Sequence, residues 1–109
     1  MDTLCERIRM LNDELRRDHS KGRVLITSGV AALGTDAVDQ ILARIAAYSD
    51  FTESNNPYGE NDFGSFQFGG DTVFWKIDYY DIFLEMHAPD PADPTITERV
   101  LTVLFAFEY

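Results

Sequence analysis

Between Phe63 and His87 apolar and polar residues alternate at a period close to two, and this stretch holds the only Trp and five of the eight Phe. Such alternation places one set of side chains on a single face of a strand. Gly69-Gly70 separates two of these runs, and paired glycines supply the positive φ that both central positions of a two-residue hairpin turn require. A turn at this point sets Phe68 opposite Asp71, Phe66 opposite Val73 and Gly64 opposite Trp75, whose indole fills the space a side chain at 64 would take. Phe66, Phe68, Val73, Trp75, Ile77 and Tyr79 then share one face. A second turn, centred on Tyr80-Asp81, returns Ile82, Leu84 and Met86 to that face and sets Lys76 opposite Glu85 on the other, with Phe74, Asp78, Phe83 and His87. The pattern predicts a three-stranded antiparallel meander with one apolar side.

Elsewhere the period is helical. Thr3-Leu4-Cys5-Glu6 is a capping box, and Leu4, Ile8, Leu11 and Leu15 follow at helical spacing, which predicts a helix over about residues 3–20, with Gly22 ending it in a left-handed conformation. Val24–Thr27 is a short β-prone run and a candidate fourth strand. Gly34 or Thr35 caps a second helix, whose stripe is Val38, Ile41, Leu42, Ile45 and Tyr48. Residues 50–62 carry no periodic pattern and are dense in turn formers, and a loop of that length in a small domain is functional or ordered by its own contacts. After the stiff, proline-rich 88–94 connection, Asp93 and Pro94 form an N-cap and first-turn pair. They predict a third helix to about residue 107 with Val100, Leu101, Leu104 and Phe107 inward; a closing strand is the alternative. The expected fold is α+β: one domain over 1–109, with a meander of three strands, or four with Val24–Thr27, covered by about three helices.

Charge changes the picture more than composition does. The net charge is −10. Residues 1–23 carry six bases and five acids, net +1, whereas residues 24–109 carry three bases (Arg44, Lys76, Arg99) and fourteen acids, net −11. Such a field repels nucleic acid and membrane surfaces and attracts basic partners. A single cysteine, Cys5, forms no internal disulfide and fits a reducing cytoplasm; its place beside the first helical stripe suggests a buried or half-buried structural thiol. Asp2 and Glu6 near the start argue against a basic leader, and no apolar run reaches the length of a membrane span.

Three stretches carry a family resemblance: Asn56-Pro57-Tyr58-Gly59-Glu60-Asn61-Asp62-Phe63-Gly64, Phe74-Trp75-Lys76-Ile77-Asp78-Tyr79-Tyr80-Asp81, and Asp90-Pro91-Ala92-Asp93-Pro94 followed by Thr97, Arg99, Val100, Leu101 and Thr102. With Gly22-Arg23-Val24 and Glu108-Tyr109, they make the chain resemble the bacterial domain-of-unknown-function family numbered 3768. That resemblance implies no activity, and places the chain among proteins found on plasmids and other mobile elements. Asn61 stands where the resemblance leads one to expect His. In size and acidity the chain also resembles small anti-CRISPR proteins directed at type I surveillance complexes.

Candidate chemistry is sparse. Cys5 lacks a neighbouring base, and His87 with Asp90 and Asp93 lacks the further convergent ligands a metal needs. Glu60, Asp62, Asp78 and Asp81 could form carboxylate pairs for metal-dependent hydrolysis, although a turn and a hairpin tip explain Asp62 and Asp81 equally well. Stacking of bases on Trp75, Tyr79 and Tyr80 conflicts with the acid around them, because residues 50–98 hold eleven acids and one base. Tyr80 is the one of these aromatics expected at a surface.

Acid spacing carries the leading expectation. Carboxylates on Asp36, Asp39, Asp50, Glu53, Glu60, Asp62, Asp78, Glu85, Asp90 and Asp93, separated by about 5–7 Å along helix or strand, imitate a row of phosphates. The function expected is therefore that of a monomeric, cytoplasmic, non-enzymatic DNA mimic without metal or cofactor. Its partner is a basic nucleic-acid-binding surface, most specifically that of a CRISPR surveillance complex. The alternatives are an antitoxin-like interaction module of a mobile element, binding through an apolar patch, and a small hydrolase using the Glu60–Asp62 loop.

Overall fold

The structure, a computed structural model, describes residues 3–109; Asp2, counted above against a leader, lies outside them. In chain order the elements are α1 (Leu4–Arg17), a 3₁₀ turn (His19–Lys21), β1 (Arg23–Ile26), the single-turn α2 (Ser28–Ala31), α3 (Thr35–Ala47), β2 (Phe63–Phe68), β3 (Asp71–Tyr80), β4 (Glu98–Phe105) and a closing 3₁₀ turn (Ala106–Glu108). Among the described residues four strands form one sheet in the order β1-β4-β3-β2, with β1 parallel to β4 and the other pairs antiparallel. The fold is α+β, with the helices on one face of a mixed sheet.

The β2–β3 hairpin has the register that Gly69-Gly70 dictates. Phe68 pairs with Asp71, Phe66 with Val73 and Gly64 with Trp75, and both glycines have positive φ. Val73, Trp75, Ile77 and Tyr79 point into the core, where Ile8, Leu15, Ile41, Ile45, Leu101 and Val103 meet them; Phe66 and Phe68 pack at its margin.

The third strand of the meander is not Ile82–Met86. β3 ends at Tyr80, and beyond it a lone bridge joins Tyr80 to His87. The Asp81 carboxylate accepts from the backbone N–H groups of Phe83 and Glu85, which closes a tight turn in place of a ladder. The free edge of β3 is taken by β4, so Lys76 lies opposite Thr102 and not Glu85.

The helix expected from Pro94 to about residue 107 is replaced over Glu98–Phe105 by strand β4, the alternative assignment. Asp93 and Thr95 do make the capping bonds, but they close an isolated turn. Leu101, Val103 and Phe105 face the core, while Val100 and Leu104 are also buried because β4 lies between two strands. In this central strand the side chains of both neighbours crowd the outer face too, which explains the contiguous apolar residues that imitated a helix. Phe107, expected inside, is 72% exposed.

Helix α1 starts with the capping box at Thr3 and Glu6. Its buried positions are Ile8, Asn12, Leu15 and Arg16, so its inward stripe is rotated from the all-apolar one; Leu4 is 65% exposed and Cys5 is exposed, not buried. Gly22 is extended, with φ −178°, and does not end α1 in a left-handed turn. A Cβ there would lie 2.7 Å from the Arg99 carbonyl oxygen, and this close approach is what requires glycine.

Candidate functional site

Two polar side chains of α1, Asn12 and Arg16, are carried into the core by the helical period, and the resemblance motifs converge on them. Asn12 is fully buried. Its Nδ2 donates to the Glu60 carbonyl at 2.9 Å and to the Tyr79 hydroxyl at 2.8 Å, and its Oδ1 accepts from Arg99 Nε at 2.9 Å. The Tyr79 hydroxyl donates in turn to Glu60 Oε1 at 2.8 Å. Arg99 also donates to the Pro91 carbonyl and stands over the Tyr79 ring, 5.2 Å from its centroid. One asparagine thus ties α1 to the 56–62 loop, to β3 and, through Arg99, to the 88–97 loop.

Arg16 forms the second half of this centre. Its guanidinium donates to the carbonyls of Ile45 and Tyr48 at 2.8 and 2.9 Å, a cation at the carbonyl-bearing end of α3. It pairs with Asp13 at 2.6 Å and lies 5.4 Å from the Phe51 ring centroid and 5.3 Å from that of Trp75. Asp13 accepts further from Asn61 Nδ2 at 3.1 Å. Asn61 has φ 54°, a conformation asparagine tolerates, and exchanges two bonds with the Asn56 side chain. At the position where the resemblance led one to expect His, the side chain is thus used to fasten the loop to α1.

Charge is managed by burial. Desolvation, with like charge from Glu60 and Asp78, holds the Asp62 carboxyl above its ordinary range. Burial likewise raises the Tyr79 phenol, and it lowers the Arg99 guanidinium. A carboxyl whose folded pKa is raised favours folding while protonated, and this contribution is lost as pH rises through the folded value. Asp62→Asn is therefore expected to raise the thermal midpoint by a few degrees at neutral pH. The gap should close in acid, below the unfolded aspartate value of about 4. Equal midpoints at neutral pH would show that Asp62 carries no such penalty.

The ten candidate carboxylates divide. Asp36, Asp39, Asp50, Glu53, Glu85 and Asp90 are exposed, and Glu60, Asp62, Asp78 and Asp93 are half-buried. Glu60 and Asp62 belong to the polar centre, and Asp78 pairs with Lys76 at 3.1 Å on the face of the sheet away from the helices. Asp90 and Asp93 accept backbone N–H groups at turns, from Ala92 and Thr95. Among the described residues no three His, Cys, Asp or Glu side chains converge as a metal site. His87 is exposed, with its ring edge-on to Tyr79. Trp75 is fully buried and Tyr79 nearly so, while Tyr80 reaches the surface.

Asn12, Arg16 and Arg99 were not singled out in the sequence as members of a site. The legible signal was polarity at a stripe position: Asn12 follows Ile8 by four residues and Arg16 follows Asn12 by four.

No curated protein and no solved structure matches the chain. No helix of the described residues is long and apolar enough to cross a membrane. A family model described as "Protein of unknown function (DUF3768)" matches residues 26–108; Gly22-Arg23-Val24 and all of α1 fall outside that stretch. The match spans well over half of the chain, which belongs to this family.

Proposed function

We propose that the protein is a non-enzymatic, acidic binding protein that occupies a basic nucleic-acid-binding surface, most specifically that of a type I CRISPR surveillance complex. One observation carries this reading: of the three bases of residues 24–109, one is buried and one is paired with an acid, which leaves Arg44 as the exposed base set against fourteen acids. Arg99 is 4% exposed. Lys76 is held by Asp78 at 3.1 Å. Arg44 lies 4.2 Å from the centroid of the Phe66 ring and donates to the Gln67 carbonyl at 2.6 Å. The exposed candidate carboxylates are Asp36 and Asp39 on α3, Asp50 and Glu53 after it, and Glu85 and Asp90 in the later loops, and within residues 24–109 they outnumber the exposed base Arg44 six to one. Asp36 and Asp39, three residues apart on one helix, are separated by about 5–6 Å. Glu60 and Asp62 are half-buried in the polar centre, and Asp78 is paired with Lys76 on the open face of the sheet.

The test is neutralisation. The variant Asp36→Asn, Asp39→Asn, Asp50→Asn and Glu53→Gln keeps shape and removes four charges. It is expected to weaken competition with DNA at least tenfold at low salt, and less at moderate salt, because screening already diminishes the wild type. Unchanged competition would remove the charge reading. The second reading, an interaction module of a mobile element, is favoured by a different observation, the exposed apolar residues of the 82–86 loop.

A further inference from the structure

The segment Asp81–His87 holds the most concentrated exposed apolar surface of the fold. Ile82, Phe83 and Met86 are 56%, 73% and 70% exposed. The loop is nevertheless tightly ordered. Asp81 takes the N–H groups of Phe83 and Glu85 on its carboxylate, donates its own N–H to the Met86 carbonyl at 2.8 Å, and accepts from Leu84 N at 3.0 Å. Leu84 sits at φ 59°, a left-handed conformation that is strained for a branched side chain. So placed, Leu84 lines a groove of about 390 Å³ on the face of the sheet away from the helices, with Leu25, Tyr80 and Val100. Lys76 and Asp78 border the groove as an ion pair, and Arg23, paired with Glu98, and Thr102 complete its lining. A rigid apolar prominence beside an apolar groove loses little freedom on binding, and aromatic side chains and Met are favoured at interface centres.

Charge decides among the occupants. Asp81 and Glu85 lie within the loop, while the two bases at the groove, Lys76 and Arg23, are each paired with an acid, Asp78 and Glu98, so the loop carboxylates set the net charge of this surface. A second copy would bring together two chains of net charge −10, and an anionic membrane surface would be repelled in the same way. We infer that the 81–87 loop and the adjoining groove dock a segment of a protein partner that presents an aromatic or aliphatic anchor flanked by Lys or Arg. The basic flank rests on the charge reading above; the apolar anchor rests on the loop geometry alone.

The test pans a displayed library of random peptides on the full chain and on Phe83→Ser/Met86→Ser, with Ile82→Ser as a second variant, at low and moderate salt. These side chains are exposed, so each variant should keep the wild-type thermal midpoint. The expected result is enrichment, on the wild type, of peptides that combine an apolar anchor with Arg or Lys. A synthetic peptide of that kind should bind the double variant roughly tenfold to a hundredfold more weakly. Basic peptides without an apolar residue, binding all forms equally, would overturn this inference and leave the charge reading standing. Apolar peptides without bases, sensitive to Phe83, would overturn the basic flank and count against the charge reading. Sedimentation showing a wild-type dimer that the double variant abolishes, or wild-type cosedimentation with zwitterionic lipid vesicles that the variant abolishes, would assign the surface to another occupant and refute the proposal.

Discussion

Asn12→Ala is expected to cost about 3 kcal/mol, because it strands Arg99 Nε and removes the Asn12 donor from the Glu60 carbonyl and from the Tyr79 hydroxyl, which keeps only its bond to Glu60 Oε1, and an unsatisfied buried polar group costs about 1–3 kcal/mol. For a domain of this size the thermal midpoint should fall by about 15 °C. Met10→Ala in the same helix, at a position 52% exposed, should stay within about 0.5 kcal/mol of wild type. The mechanism is specific. Asn12 joins α1 to the 56–62 loop, β3 and β4 through three bonds, so its loss should also raise amide exchange in the 56–62 loop above that of the β2–β3 hairpin. A midpoint within a few degrees of wild type, with unchanged exchange, would mean that the polar centre does not fasten the loop.

Gly64→Ala should be comparably damaging for the opposite reason. A Cβ at this position falls on Trp75 Nε1 and lies 2.7 Å from Tyr48 Cε1, in a part of the core where Tyr48, Phe51 and Trp75 already meet edge to face. Overpacking of this kind costs about 1–3 kcal/mol, and Trp75 is fully buried, so the side chain cannot swing into solvent. Equilibrium denaturation is expected to show the upper end of that range, with an altered near-ultraviolet signal from Trp75. Trp75→Phe destabilises by leaving a cavity, but it also makes room. In the double variant, Gly64→Ala should therefore cost at least about 1 kcal/mol less than it does alone. Additive effects would show that the glycine is not there to admit the indole.

That glycine marks where the sequence was legible. Paired glycines permit few turn geometries, and a period of two then fixes every partner, so the β2–β3 register and its apolar face followed from composition and spacing alone. The capping box at Thr3 was legible for the same reason, since its bonds are local. Long-range choices were not. Residues 82–86 alternate well enough for a strand, yet β3 pairs with β4, which offers eight paired positions and an apolar run. That run looked helical because Val100 and Leu104, on the face away from the helices, are apolar as well and are buried among side chains of neighbouring residues, so the alternation is lost. The polar centre was half visible: its loop and sheet members lay in the motif stretches, whereas the inward turn of Asn12 and Arg16 depends on how α1 rolls against α3. Whether an acid lies at the surface or inside was equally hidden. Glu60 and Asp62 are half-buried, and Asp36 and Asp39 are exposed, although spacing treats them alike.

The measurement closest to the central claim is a displacement titration. Wild-type protein is added to a type I CRISPR surveillance complex holding labelled target DNA, or supplied before the DNA, at low and at moderate salt. The account predicts that DNA is excluded in proportion to added protein and that exclusion weakens as salt rises. DNA binding that stays unchanged at every concentration and both salt levels would contradict the account for that partner.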